Sequence, residues 1–317
     1  MIGILGAGAF GTALAVALAS AGREVRLWAR DEARVREMQA TRQSAALPGV
    51  TLPERLSVHG AIEEVRGGQA LLLAVPMQAL GGLLDLWPQI DARQPLVACC
   101  KGVDLASLTG PVELIRARRP GAEVAILTGP SFAADIARGL PTALTLAAAW
   151  DAAHLQELLS TPMLRLYRTD DVRGAELGGA LKNVIAIAAG VVSGAGLGDS
   201  ARAALMTRGY AEMVRLAEAL GARAETLAGL SGFGDLVLTC TSPQSRNFRF
   251  GQALGRREAF DPSVTVEGVA TARAVVRLAA EKGVEMPVTE MVDALASGRI
   301  TLESAEAHLM SRPLKQE

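Results

Sequence analysis

The sequence is poor in the residues that build metal centres and disulfide frameworks. It has three histidines, none near another, and three cysteines, Cys99, Cys100 and Cys240, without the spacing of a metal site. The histidine content argues against a histidine-based metal site, and we predict that no metal is bound. An odd number of cysteines without a framework pattern favours a reducing compartment, so we predict a cytoplasmic location.

The sequence also lacks a bias in charge. Its 317 residues include 32 Lys and Arg against 33 Asp and Glu, for a net charge of −1. Nothing therefore points to nucleic acid or to an anionic membrane surface as a partner, and any anionic ligand must be held by a local site. Hydrophobic residues make up 50% of the chain, which is enough for two domains with sizeable cores.

The first 22 residues carry no charged side chain, which raises the question of a secretion signal. No Lys or Arg precedes the apolar run, so the only feature typical of a signal peptide is the small-residue stretch Ala-Ser-Ala. Instead, Gly6, Gly8 and Gly11 form G-x-G-x-x-G between the apolar residues 2–5 and the Ala- and Leu-rich residues 12–21. With "EVRLWAR" as a second strand, the pattern predicts a βαβ unit whose turn binds a pyrophosphate. A tight turn without a ligand is the structural alternative.

The rest of the first half alternates apolar runs with helical patterns. Further strands are predicted near 56–59 and in "ALLLAVP", "LVACCKG", "EVAILTGPS" and "TALTLAA". This alternation predicts an α/β fold with a doubly wound, Rossmann-type parallel sheet, and the turns at 74–76, 101–102 and 129–133 would line one crevice. Past about residue 170, helical spacing predicts an all-α domain. We place a dinucleotide-binding domain at 1–170 and a helical substrate-binding and catalytic domain at 171–317.

Three isolated charges stand out in apolar surroundings. Lys182 is the only charge between Leu177 and Gly198, and Asp235 and Lys101 are similarly alone. Burial lowers the pKa of a lysine toward the range in which it exchanges protons near neutrality. The three groups suggest one shared polar site, although a packed helix could also let Lys182 extend to solvent.

A phosphate-type cluster follows in "SPQSRNFRFG". Ser245, Arg246 and Asn247 put a hydroxyl, a bidentate cation and an amide on consecutive residues, which suits a phosphate. A solvated turn after Pro243 is the alternative interpretation. Together with the dinucleotide turn and Lys182, the cluster predicts a dehydrogenase for a phosphorylated alcohol.

Almost the whole chain resembles the bacterial NAD(P)-dependent glycerol-3-phosphate dehydrogenase family. The resemblance rests on six ordered motifs: "GAGAFGTALA", "CKG", "GPSFA", "LKNVIAIAAG", "GDLVLTCTSPQSRNFRFG" and "VEG". It implies reversible reduction of dihydroxyacetone phosphate to sn-glycerol 3-phosphate, for glycerophospholipid synthesis. The departures are Ala9, where the family often has serine, and Asp199, where it commonly has asparagine.

The resemblance also implies a role for each matching residue. Lys182 would be the proton donor and acceptor at the C2 oxygen of the substrate, flanked by Lys101 and Asp235 and supported by Asn183 and Thr239. The substrate, chiefly its phosphate, would be held by Gly129, Ser131, Ser245, Arg246 and Asn247. The cofactor would be contacted by Ala9, Phe10, Arg30, Lys101, Ala133, Arg246 and Glu267, beside the glycines of the turn.

Cofactor choice depends on the end of the second strand. NAD-selective sites commonly have an acidic residue there, whereas this chain has Ala29 and Arg30, so we expect NADP or NAD to be used and NADPH to be favoured. Asp31 is expected to cap the next helix.

The apolar helical half suggests a homodimer. A dehydrogenase of the β-hydroxyacid or 6-phosphogluconate type, and a non-catalytic dinucleotide sensor, are the alternative functions.

Overall fold

A computed structural model describes residues 1–86 and 94–305. The end of the predicted second domain, 306–317, lies outside the described residues. The strands are β1 (Ile2–Leu5), β2 (Val25–Trp28), β3 (Leu56–His59), β4 (Ala70–Leu73), β5 (Leu96–Ala98), β6 (Val124–Thr128), β7 (Thr142–Ala148) and β8 (Leu164–Thr169). The helices are α1 (Ala9–Ser20), α2 (Glu32–Thr41), α3 (Met77–Asp85), α4 (Pro111–Arg118), α5 (Ala133–Ala137), α6 (Ala153–Leu159), α7 (Val172–Gly194), α8 (Asp199–Ala219), α9 (Ala224–Ala228), α10 (Asp235–Thr241), α11 (Arg246–Arg256), α12 (Glu267–Lys282) and α13 (Pro287–Ala296).

The strands form one eight-stranded sheet in the order β3-β2-β1-β4-β5-β6-β7-β8. The first six follow the Rossmann order and are parallel. Helices cover both faces of the sheet, because Ala70 and Leu72 of β4 join one apolar cluster and Leu71 and Leu73 the other. The predicted α/β class with a helical second half is therefore confirmed.

The sheet differs from the prediction at its far edge, where it is not parallel throughout. β7 runs antiparallel to β6 because their connection stays at the edge of the sheet where β6 ends. β8 pairs parallel with β7 and was not predicted. Its buried Leu164 and Leu166 alternate with exposed Arg165 and Tyr167, so it lacks a continuous apolar run such as that of β4.

The glycine turn after β1 has the conformation that its sequence predicts. Gly6 has φ of +119°, and a Cβ there would lie 2.4 Å from the carbonyl oxygen of Ala74. A Cβ on Gly11 would lie 2.1 Å from the carbonyl oxygen of Gly6. These two glycines let α1 start directly against the ends of β1 and β4.

α7 is the central helix of the second half. It is long and apolar enough to cross a membrane by composition, yet 89% of its apolar window is buried inside the protein, as expected for the core helix of a globular domain. Its Glu176 is half-buried and accepts a hydrogen bond of 2.7 Å from the backbone N–H of Val112 in the first turn of α4. Burial raises the pKa of Glu176 to about 7. This contact fastens α7 to the helix that follows the Lys101 turn.

Candidate active site between the sheet and the helices

A cleft of about 520 Å³ opens where the carboxyl ends of β1, β4, β5 and β6 face α7 and the first turns of α11 and α12. The three turns that the sequence placed in one crevice all line it. So do most of the predicted site residues: Gly8, Ala9, Phe10, Lys101, Ser131, Ala133, Lys182, Asn183, Thr239, Ser245, Arg246, Asn247 and Glu267.

The three isolated charges meet at the bottom of this cleft. The Asp235 carboxylate is fully buried, with Oδ2 2.5 Å from Lys101 Nζ and Oδ1 3.1 Å from Lys182 Nζ. Lys182 also donates a hydrogen bond of 2.7 Å to the Thr239 hydroxyl, which in turn donates to Asp235 Oδ1. Lys101 donates a second bond, of 3.1 Å, to the carbonyl oxygen of Gly129. One carboxylate thus holds both ammonium groups in place.

The position of Lys182 changes its proton affinity. The residue is only 7% exposed. Burial, with a smaller contribution from the charge of Lys101, lowers the pKa of Lys182 to about 8 against the attraction of Asp235. An ammonium with a pKa this close to neutrality can give up a proton and take it back during a reaction.

Small residues let α7 carry Lys182 into this position. A Cβ on Gly178 would lie 2.6 Å from the carbonyl oxygen of Ser231, and one on Gly179 would lie 2.5 Å from Thr128 Oγ1. The chain next to Gly178 is a short π-helix, Leu230–Gly234, which leads directly into α10 and Asp235. The glycine pair therefore allows α7 to approach the end of β6 and the start of α10 at once.

The phosphate-type cluster forms the beginning of α11. Ser245 caps this helix by accepting a hydrogen bond of 3.2 Å from the N–H of Phe248. Asn247 Nδ2 donates to Asn183 Oδ1 at 2.9 Å, while Asn247 Oδ1 accepts from the N–H of Gly268 at 2.9 Å. Arg246 and the positive end of the helix consequently face the cleft beside α7, an arrangement that suits an anion.

The turn after β1 has a geometry that suits a dinucleotide. Gly8 begins α1 without a side-chain cap, so the N–H groups of the first helical turn have no partner within the helix. A Cβ on Gly8 would have no protein atom within 4 Å, unlike one on Gly6 or Gly11. Because Gly8 has no side chain, a ligand in the cleft can come close to the backbone of the turn, which fits a pyrophosphate.

Glu267 closes the other side of the cleft. It lies half-buried at the start of α12, where its side chain lines the cleft. Burial raises the pKa of Glu267, while the positive charge of Arg246 opposes this change. Glu267 thus brings an acidic side chain into the cleft, close enough to Arg246 for the two charges to interact.

The remaining predicted residues lie behind or beside the cleft. Asp235 lies beneath its floor, and Gly129 contributes the carbonyl oxygen that holds Lys101. Gly6 and Gly11 shape the turn from behind. Arg30 is exposed just after β2 and does not line the cleft.

Sequence reasoning missed several residues that line the cleft. Ala46 and Leu47 come from the loop after α2, where no motif drew attention to them. Gln244 and Arg249 flank the phosphate-type cluster and could have been found by extending it by one residue before Ser245 and two residues after Asn247. Asp199 lies outside this lining and pairs with Arg202 at 3.0 Å.

Comparison with known proteins identifies relatives over nearly the whole chain. Residues 1–154 match the family described as NAD-dependent glycerol-3-phosphate dehydrogenase N-terminus, and residues 171–307 match its C-terminus. The chain is 66% identical over 321 residues to a protein of Cereibacter sphaeroides, with 100% of both chains covered. It is 61% identical over 319 residues to one of Paracoccus denitrificans, covering 100% of this chain and 99% of the relative. Both relatives are named glycerol-3-phosphate dehydrogenase, NAD(P)+.

A crystal structure of glycerol-3-phosphate dehydrogenase from Coxiella burnetii has a similar fold. Its TM-score is 0.93 at 38% sequence identity, with 98% of each chain covered. The similarity therefore extends through the sheet, the helices and the cleft between them.

Replacing the shared carboxylate tests the role of the buried charges. We expect Asp235→Asn to lower the free energy of unfolding by about 3–5 kcal/mol at neutral pH, because two ammonium groups lose their counter-charge. The same change is expected to lower the pKa of Lys182 below about 8, since Asp235 raises it. Urea denaturation at several pH values measures the loss, which should shrink at alkaline pH, where Lys182 is neutral.

The matched control is Asp199→Asn, which removes an exposed partner of Arg202. It is expected to cost less than about 1 kcal/mol. Equal losses in the two variants would contradict the structural importance of Asp235.

Proposed function

Because the chain belongs to the NAD-dependent glycerol-3-phosphate dehydrogenase family, we propose that the cleft is its active site and that Lys182 is its proton donor and acceptor. The chain is an NAD(P)-dependent oxidoreductase that reversibly reduces dihydroxyacetone phosphate to sn-glycerol 3-phosphate, a step of glycerophospholipid synthesis. This membership decides against the two alternative functions considered from the sequence. The observation that carries the assignment to Lys182 is its buried contact with Asp235 and Thr239.

Lys182 acts on the C2 oxygen of the substrate. When bound, the reduced nicotinamide supplies the hydride that adds to C2 of the ketone. Negative charge then develops on the oxygen, where the Lys182 ammonium stabilises it and donates its proton. Asp235 and Thr239 hold Lys182 in position, and Lys101 adds positive potential while keeping the pKa of Lys182 low. In the oxidation direction the neutral amine of Lys182 accepts the proton.

The start of α11 holds the substrate phosphate. Arg246 supplies a guanidinium, and Ser245 and Asn247 add polar groups at the same helix terminus. Gly129 and Ser131 of the turn after β6 complete the substrate site, next to Lys101. Fixing the phosphate removes most of the motion of a small substrate. Less translational and rotational entropy then has to be lost in the transition state.

The cofactor lies along the turn after β1, with NADPH favoured over NADH. Gly6, Gly8 and Gly11 shape the pyrophosphate site, and contacts come from Ala9, Phe10, Arg30, Lys101, Ala133, Arg246 and Glu267. The preference is supported by Asp31, whose Oδ1 accepts from the N–H groups of Ala33 and Arg34 at 2.9 and 3.3 Å. This carboxylate caps α2, as the sequence predicted, and Arg30 is left as the charged residue at the end of β2.

The division of the chain supports the same assignment of roles. We place the cofactor domain at 1–170 and the catalytic domain at 171–317, since β8 ends at Thr169 and α7 begins at Val172.

A homodimer is proposed from the apolar helical half. A cytoplasmic location is proposed because all three cysteines are free thiols.

Removing the Lys182 side chain tests the central assignment. We expect Lys182→Ala to lower kcat for dihydroxyacetone phosphate reduction by about two to four powers of ten, because proton donation and charge stabilisation are lost together. Binding of NADPH, followed by its fluorescence, should change little. Lys282→Ala is the control, since Lys282 is exposed at the end of α12. Turnover of Lys182→Ala within a few-fold of the parent enzyme would make the lysine structural.

Removing Arg246 tests the phosphate site. Arg246→Ala is expected to raise KM for dihydroxyacetone phosphate about 10- to 150-fold, the equivalent of a charged hydrogen bond of about 1.5–3 kcal/mol. Arg256→Ala, at the exposed end of the same helix, should leave KM unchanged. Steady-state kinetics at saturating cofactor measure both variants, and an unchanged KM in Arg246→Ala would place the phosphate elsewhere.

A further inference from the structure

A second arginine near the end of β2 has an unusual position. Arg34 lies in the first turn of α2 and is half-buried, whereas its neighbours Glu32 and Arg36 are exposed. Its guanidinium turns back over the sheet, and Nη2 donates a hydrogen bond of 2.5 Å to the carbonyl oxygen of Ala7. Ala7 lies between Gly6 and Gly8, so Arg34 contacts the dinucleotide turn itself.

The guanidinium is not satisfied by the protein around it. Its Nε is buried and has no hydrogen-bond partner among the described residues. Within the same residues, no carboxylate forms an ion pair with it, whereas Arg36 on the same helix pairs with Glu32 at 3.6 Å. A buried donor without a partner is unfavourable, because its lost hydration is not replaced by another hydrogen bond. A positive charge with free donors at this place is suited to an anion that the protein does not itself provide.

The position of Arg34 relative to the turn after β1 indicates which anion it would bind. In a βαβ dinucleotide site the pyrophosphate lies at the start of the first helix, and the adenosine ribose lies toward the end of the second strand. Arg34 contacts the turn from the side of α2, the helix that follows this strand. The group that distinguishes NADP from NAD, the 2′-phosphate, is bound in this region.

We propose that Arg34 is a specificity-determining residue that, together with Arg30, binds the 2′-phosphate of NADP. The inference rests on the proposed cofactor site and deepens it. Ala7 anchors one nitrogen of the guanidinium, so its remaining donors are oriented before the ligand arrives. Arg30 is exposed, and no described residue forms a hydrogen bond that anchors it. Arg34 therefore supplies the ordered half of the phosphate site, and Arg30 supplies a second, exposed positive charge.

Binding of two nucleotides that differ by one phosphate tests the proposal. Isothermal titration calorimetry on the full chain compares 2′,5′-ADP with 5′-AMP, which differs from it only by lacking the 2′-phosphate. Arg34→Met is expected to weaken 2′,5′-ADP about 10- to 100-fold and 5′-AMP less than about threefold, because only the former uses the charged hydrogen bonds. Arg36→Met, with the same charge change on the same helix, should weaken either nucleotide by less than about threefold, since its exposed charge is screened by salt.

Each contrary outcome contradicts a different statement. An equal loss of both nucleotides in Arg34→Met would mean that Arg34 only supports the turn, which overturns the inference and leaves the proposed function intact. Equal affinity of the parent chain for the two nucleotides would overturn the NADPH preference as well. Failure of the parent to bind either one would contradict the cofactor site itself.

A conservative variant covers the case in which Arg34→Met does not fold, which thermal melting would reveal. Arg34→Lys keeps the charge and loses the planar fork of donors. A selective loss of 2′,5′-ADP in this variant supports the proposal, and an equal loss of both nucleotides overturns it.

Discussion

The Asp235 carboxylate pairs with two ammonium groups at the junction of the sheet and the helices. Lys101 comes from the end of β5 and lies 134 residues from Asp235 in the sequence, while Lys182 comes from the middle of α7. Removing these charges from water is costly, so the three groups stabilise the fold only when they are together. The cleft therefore exists in its active geometry only when both halves of the chain are correctly packed.

The packing around these charges depends on residues without side chains. Gly178 and Gly179 bring α7 against the π-helix and the end of β6, and Gly251 brings α11 against α7, since a Cβ there would lie 2.0 Å from the carbonyl oxygen of Ile187. The close contact of α7 and α11 allows Asn183 to hold Asn247. The residues proposed for proton transfer and for phosphate binding are thereby held on one closely packed pair of helices.

Local signals predicted much of this arrangement. The glycine turn, the capping role of Asp31, the exact span of β7 and the isolation of Lys182 among apolar residues all follow from short stretches of sequence. The direction of β7 and the existence of β8 depend on long-range pairing. The position of Arg34 depends on a contact with Ala7, 27 residues away, that no periodicity reveals. The contact of Lys182 with Asp235 was inferred only as a shared polar site, because spacing alone does not bring two segments together.

The pH dependence of the parent enzyme in both directions tests the central claim most directly, that Lys182 is an acid and base whose pKa burial has lowered to about 8. The measured quantity is kcat/KM at saturating cofactor, which reports the substrate-free enzyme. For dihydroxyacetone phosphate it should fall as pH rises through about 8, because the ammonium is lost. For sn-glycerol 3-phosphate it should rise through the same pKa as the neutral amine forms. Profiles that stay flat across this range in both directions would contradict the account.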